Sequence, residues 1–294
     1  MSVSLEQPLT TRADVLWPAP RHVYWLSMAL ALVAATSAAL TFFVPGILTG
    51  PAGTNGNARG TALVMLVAAV PVLLISMSLT ARGSWRAPVV WLGALGYLLY
   101  NGFLLLFLTP FNSLFLLYVA TFSLCLFAIA GLVRVIDAPT LAARFRGIPR
   151  RGLALYVWTI VFLNLLAWLR TIVPALGADD PSSFMEGSGV VTNPIFVQDM
   201  VFWFPMAALG AWWLWNGRPW GVPVVGAWLV YGLLESIGVA TDQWFGYRAD
   251  PDTTFATMGG MWLFIALAVI GLIPLYFFFR ANRARKMGPE PRRQ

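Results

Sequence analysis

The stretch GVPVVGAWLVYGLLESIGVAT, residues 221–241, carries one charged side chain, Glu235, in twenty-one positions. As a helix rising about 1.5 Å per residue, it would cover the ~30 Å hydrocarbon core of a bilayer. Seven further runs have the same character: 23–44, 61–80, 87–108, 114–133, 153–174, 198–216 and 257–279. Helices are the expected form, because an open strand would leave backbone groups unpaired in lipid. The fold class read from this pattern is all-α, a polytopic membrane helix bundle of eight transmembrane helices. Glu235 is the anomaly within it.

Composition agrees with that class. Of 294 residues, 59% are hydrophobic and 11% charged, against roughly a quarter charged in soluble domains. The net charge of +7 comes from short arginine clusters between apolar runs, as in the cytoplasmic loops of a membrane protein, and does not point to nucleic acid. With the N-terminus inside, Arg12, Arg21, Arg82, Arg86, Arg134, Arg144, Arg146, Arg150, Arg151, Arg218 and the tail RANRARKMGPEPRRQ (280–294) all fall on the inner side. That is 16 of 19 basic residues, and it places both termini in the cytoplasm. Residues 1–22 and 280–294 are then cytoplasmic ends, 23–134 and 153–279 two groups of four spans, and 135–152 a basic connector in which TLAARFRGIPRR suits a short interfacial helix.

The residue inventory excludes several chemistries. Cys125 is the one cysteine, His22 the one histidine and Lys286 the one lysine. An intrachain disulfide, bis-histidine haem, HExxH zinc chemistry, a Ser-His-Asp triad and a retinal Schiff base within a span are all out of reach. No Walker loop or dinucleotide fingerprint occurs, so no cofactor is named. Asp179, Asp180 and Glu186 could meet around a divalent cation, although acidic loops are commoner than metal sites.

The two groups of spans share landmarks. WRAPVVWLGALGYLLYN (85–101) aligns without gaps to WGVPVVGAWLVYGLLES (220–236), matching Trp85, Pro88, Val89 and Val90 to Trp220, Pro223, Val224 and Val225, an offset of 135. Pro71 and Pro205 fall inside the second and sixth spans at an offset of 134. A tandem duplication of four plus four spans is expected. An even number of spans makes the copies parallel, related by an axis along the membrane normal. Pro71 and Pro205 should each free a carbonyl and bend their helices.

Under that register Tyr100-Asn101 takes the place of Glu235-Ser236, with Asn101 and Glu235 both roughly 10 Å inside the outer boundary. Tyr231, Glu235 and Asp242 share one helical face, Asn164 approaches the same depth, and Asp199 opens the sixth span. Arg170 is the basic residue near enough in depth to balance Glu235. The expected site is a polar pocket in the outer half: Glu235 binding a cation or proton, Arg170 balancing charge, Asn101, Asn164, Tyr100 and Tyr231 orienting a polar ligand, and Asp199 and Asp242 enriching cations at the mouth. The tryptophans at 212, 213, 215, 220, 228, 244 and 262 form no cage by spacing and read as interfacial anchors.

FNSLFLLYVATFSLCLFAI (111–129) and GRPWG (217–221) resemble segments of poorly characterised bacterial multi-pass membrane proteins, and the arginine-rich, lysine-poor usage resembles actinobacterial chains. The resemblance implies a bacterial cytoplasmic membrane and carries no mechanism or residue role. Three functions are compatible with these readings. The first is a transporter or solute-binding protein for a small polar solute or cation. The second is a membrane enzyme on lipid or glycan substrates, with Glu235 or Asp199 as acid–base. The third is an accessory subunit that meets another membrane protein or its own copy.

The arginine bias predicts where reporters will function. Green fluorescent protein fused after Gln294 should fluoresce, and alkaline phosphatase fused there should be inactive; the reverse pair of signals would overturn the orientation.

Overall fold

The computed structural model describes residues 19–280. Eight helices are long and apolar enough to cross a membrane: Arg21–Phe43, Ala52–Ala81, Ala87–Phe107, Phe115–Val135, Arg150–Leu176, Pro194–Trp215, Gly221–Ala249 and Met258–Arg280, here spans one to eight. The chain is an all-α, multi-pass membrane protein. The N-terminal segment up to residue 18 and the basic tail after Arg280 lie outside the described residues.

Two spans are longer than the apolar pattern suggests. Span two starts at Ala52, not at 61, and span seven ends at Ala249, not at 241. Both extensions are rich in polar residues and glycine, which reads as loop when hydropathy alone is weighed. Their packing explains the helix. A Cβ on Gly56 would lie 2.5 Å from the Phe245 carbonyl oxygen, and one on Gly60 would lie 2.6 Å from Asp242 Cα. Bare glycine backbones let the first turns of span two and the last turns of span seven touch, the small-residue contact that favours helix association in membranes. Arg59, which lies before the expected start of span two at 61, is a helical residue of that span.

Pro71 and Pro205 leave the same signature. A helix-interior proline lacks an N–H, and its ring crowds the carbonyl four residues back. In span two a π-turn, Met65–Ala69, immediately precedes the segment holding Pro71. In span six a π-turn, Asp199–Trp203, precedes the segment holding Pro205. The wider turn relieves the crowding without ending the helix. Both spans then stop alike. Gly83 (φ 85°) and Gly217 (φ 68°) take the left-handed conformation. The following Ser84 and Arg218 amides donate to Leu79 O and Trp213 O, at 2.9 and 2.8 Å.

The first four spans form a closed ring in which one meets two, two meets three, three meets four and four returns to one. Buried side-chain bonds pin it: Trp91 Nε1 donates to Ser27 Oγ at 3.1 Å, and the Thr41 and Tyr118 hydroxyls pair at 2.8 Å. The connector forms a short helix, Ala138–Arg144, begun by Asp137, whose carboxylate accepts from the Thr140 amide at 3.2 Å. Phe145 after it is fully buried between Trp85 and Phe278, with ring centroids 4.8 and 4.6 Å away. Span seven is the hub of the molecule, touching two, three, six and eight. Five packs on six, but five and eight barely meet, so the last four spans do not close into a ring.

Gly56→Ala and Gly60→Ala should each destabilise the protein by about 1–3 kcal/mol through overpacking of the span two–span seven contact. Thermal unfolding in detergent checks this. Gly259→Ala, with no atom within 4 Å of its Cβ position, should unfold like the parent.

Candidate functional site

Glu235 lies halfway along span seven, with Tyr231 one turn of helix toward its N-terminal end and Asp242 two turns, about 10 Å, toward its C-terminal end. All three line a cavity of about 740 Å³ bounded by spans two, three and five to eight. Tyr100, Asn164 and Asp199 line it too. Asn101 stands behind Glu235: its amide donates to the Glu235 carboxylate at 3.0 Å and to the Tyr97 carbonyl at 3.1 Å. That bond sets Glu235 level with Asn101, in the C-terminal third of span three. The extra turns of span seven beyond it are the ones zipped to span two.

Each cavity acid within a span has a neutral donor. Asp199, in the π-turn of span six, accepts from the indole of Trp168 at 2.9 Å and has the Tyr100 hydroxyl beside it. Asp242 accepts from the Thr61 hydroxyl at 3.0 Å. Aromatic rings fill the space between Asp199 and Glu235. Trp203 stacks on Tyr231 with centroids 4.4 Å apart and planes 9° apart, and Tyr100 sits 5.4 Å from Trp203 and 5.6 Å from Tyr231. Tyr100 and Tyr231 are buried, as is Asp199.

Several polar atoms here have no partner. The second Asp242 oxygen, the Tyr97 hydroxyl, the Gln198 amide nitrogen and the Asn57 amide oxygen are buried and unbonded. Buried polar groups are rarely left so, and each unsatisfied one asks for a water, an ion or a ligand group. Tyr97 packs between Glu235 and Asp242, where its hydroxyl would touch any Cβ on Gly238.

Arg170 departs from its expected role. It is exposed, does not line the cavity, and among the described residues forms no ion pair with Glu235. In span five the inward face repeats through Asn164 and Trp168, and Arg170 falls off it. Asn164 turns its amide nitrogen back to the Ile160 carbonyl at 2.9 Å. The acidic loop does not assemble a metal cluster: among the described residues no three His, Cys, Asp or Glu side chains are placed to hold one metal ion. Asp180 instead starts the short turn Pro181–Met185. The hydroxyl and amide of Ser182 hold its carboxyl below the usual range. Ser183, Phe184, Met185 and Glu186 of this loop roof the cavity, with Phe184 stacked on Phe196 at 6.1 Å.

No protein-family model, curated protein or solved structure matches the chain.

The sequence reading omits Trp168, Trp203, Thr61 and Tyr97. Three of them were within reach of periodicity. Trp203 follows Asp199 by four residues, Trp168 follows Asn164 by four, and Tyr97 precedes Asn101 by four, so each pair shares a face. Thr61 was hidden because the turns around it read as loop.

Asn101→Ala should cost about 1–3 kcal/mol by stranding the Glu235 carboxyl. In a double-mutant cycle on thermal unfolding, Asn101→Ala with Glu235→Ala should lose less than the sum of the two single changes. Strict additivity would deny the bond its role.

Proposed function

We propose that the protein is a transporter that binds an organic cation in this cavity, in the outer half of the bilayer. One observation carries the reading. Glu186, Asp199, Glu235 and Asp242 line the cavity, and among the described residues no Arg, Lys or His does. Carboxylates gathered in a low-dielectric cleft focus a negative potential and concentrate cations. The neutral donors Asn101, Trp168 and Thr61 orient the acids without cancelling their charge.

The aromatic lining favours an organic ion over a bare metal. Trp203, Tyr231 and Tyr100 offer ring surface beside Asp199 and Glu235, and a cation close to an aromatic face gains about 0.5–2 kcal/mol. A volume of about 740 Å³ suits a molecule rather than a single ion. Glu235 is the primary counter-charge, held by Asn101, with Asp199 opposite it across the rings. Asp242 and Glu186, further out, draw the cation inward. A proton on Glu235 exchanging for the cation would couple the two fluxes in opposite directions, so that protons entering down their gradient drive the cation outward.

The two groups of four spans support a moving-halves mechanism. The paired π-turns, their prolines and the matching glycine stops favour a parallel duplication. The cavity lies where spans two and three of the first half face the second half. Rocking one half on the other would expose the site to alternate sides. The arginine bias orients its outer end away from the cytoplasm, in a bacterial cytoplasmic membrane.

A second reading draws on the gap between spans five and eight. An enzyme acting on lipid or glycan substrates could use Asp199 or Glu235 as general acid–base.

Binding to purified protein in nanodiscs separates these. Labelled tetramethylammonium should bind saturably, and its neutral isostere neopentane-type alcohols and an anion such as acetate should not compete. Glu235→Gln should weaken binding at least tenfold with unfolding unchanged. Absence of cation binding, or equal binding by Glu235→Gln, overturns the reading.

A further inference from the structure

The seam between spans five and eight is the least closed wall of the cavity. Tyr156, Ile160, Asn164 and Trp168 line it from span five, and Phe264, Leu267 and Gly271 from span eight. The two helices barely touch. One meeting point lies toward the inner side, where the Tyr156 hydroxyl is 3.7 Å from a Cβ position on Gly271. Ile160, Asn164, Phe264 and Leu267 all lie outward of that point along their helices.

The surroundings of the seam are lipid, not water. Span five exposes Leu155, Phe162, Leu163 and Leu166, and span eight exposes Trp262, Leu263, Val269 and Ile270, each at least 48% exposed. The outer mouth of the cavity, by contrast, is roofed by the Pro181–Met185 turn, tied down where the Thr54 hydroxyl reaches the Ser188 carbonyl at 3.4 Å. The cavity is therefore more covered toward the aqueous side than toward the membrane.

Polarity changes along the same line. The deep end holds Glu235, Asp199 and the Trp203–Tyr231 stack, whereas the seam end presents Ile160, Val161, Phe264 and Leu267. A ligand that satisfies both ends carries positive charge at one end and hydrocarbon at the other. Methylenes are favoured out of water, and a tail left largely in lipid needs little apolar room inside the protein.

We infer that the cavity takes a single-tailed amphiphilic cation from the outer leaflet through the seam between spans five and eight, its head at Glu235 and its tail between Ile160 and Leu267. This rests on the cation reading of the same site and adds the class of ligand and its route.

The test compares labelled decyltrimethylammonium, below its micellar concentration, with labelled tetramethylammonium on full-length protein in nanodiscs. Protein-free nanodiscs are subtracted for partition. Bulk is placed in the seam from either side by Leu267→Trp or Ile160→Trp, so that misfolding of one variant leaves the other. The ratio of long-chain to short-chain affinity should fall at least tenfold in each folded variant and hold or rise in Leu267→Ala. A ratio unchanged by added bulk overturns the lateral route while leaving Glu235-dependent tetramethylammonium binding, and the cation reading, in place. If the parent protein binds neither ion, the cation reading itself falls and takes the route with it.

Discussion

A carboxylate inside a hydrophobic bundle needs compensation, and the cavity of this protein gathers three of them from its spans. Glu235 and Asp242 each receive one neutral hydrogen bond, from Asn101 and Thr61, and Asp199 receives one from Trp168 with the Tyr100 hydroxyl beside it. A hydrogen bond to a charged group contributes about 1.5–3 kcal/mol. Desolvating one ion costs several kcal/mol even after relaxation. For Glu235 and Asp242 one donor falls short, and among the described residues no basic side chain lines the cavity. On the cation reading, the charge left over is what an incoming proton or cation meets. A packing device would look different: an acid and a guanidinium locked together would satisfy the charge internally and leave nothing to bind.

The scaffold that holds these acids is built from close backbone approach. Gly56 and Gly60 bring span two against Phe245, Gly246 and Asp242, which delivers Thr61 to Asp242 and buries the second oxygen of that acid without a partner. Span seven thereby becomes the rod to which both halves attach, touching two and three on one side and six and eight on the other. The π-turn of span six has a local consequence as well. It begins at Asp199 and ends at Trp203, so the widened turn that accommodates Pro205 also sets an acid and a stacking ring on the cavity wall. π-turns recur at functional sites for this reason, since they shift side-chain direction without breaking the helix.

Much of the architecture was legible in hydropathy, because twenty apolar residues in lipid have few alternatives to a helix. Glu235 stood out for the same reason, and equal depth put Asn101 in its pocket, though as a group orienting a ligand and not as the donor to its carboxylate. What hydropathy could not reveal was helix built from polar and glycine-rich sequence. ATDQWFGYRA (240–249) and AGTNGNARGT (52–61) mix polar residues and glycine into what hydropathy reads as loop, yet both are helical where they pack on one another. Arg170 misled for a related reason. Depth and charge nominated it, while direction around the helix decided the matter, and Trp168 occupies the inward position. Charge is visible in a sequence at any residue; the face it points to requires the helix phase.

The two sets of four spans differ in a single closure. Spans one and four are joined along the ring and bonded through Thr41 and Tyr118. Spans five and eight have no side-chain bond between them among the described residues, and their cavity-facing residues look across a gap. The open seam sits in the half that carries Glu235, Asp199 and the stacked rings, and the closed ring sits in the half that supplies Asn101 and Thr61. Trp168, the donor to Asp199, belongs to span five and so to the open half. On the transporter reading, access to the site changes as spans five and eight part or close in lipid, while the contacts of Asn101 and Thr61 to span seven stay as they are.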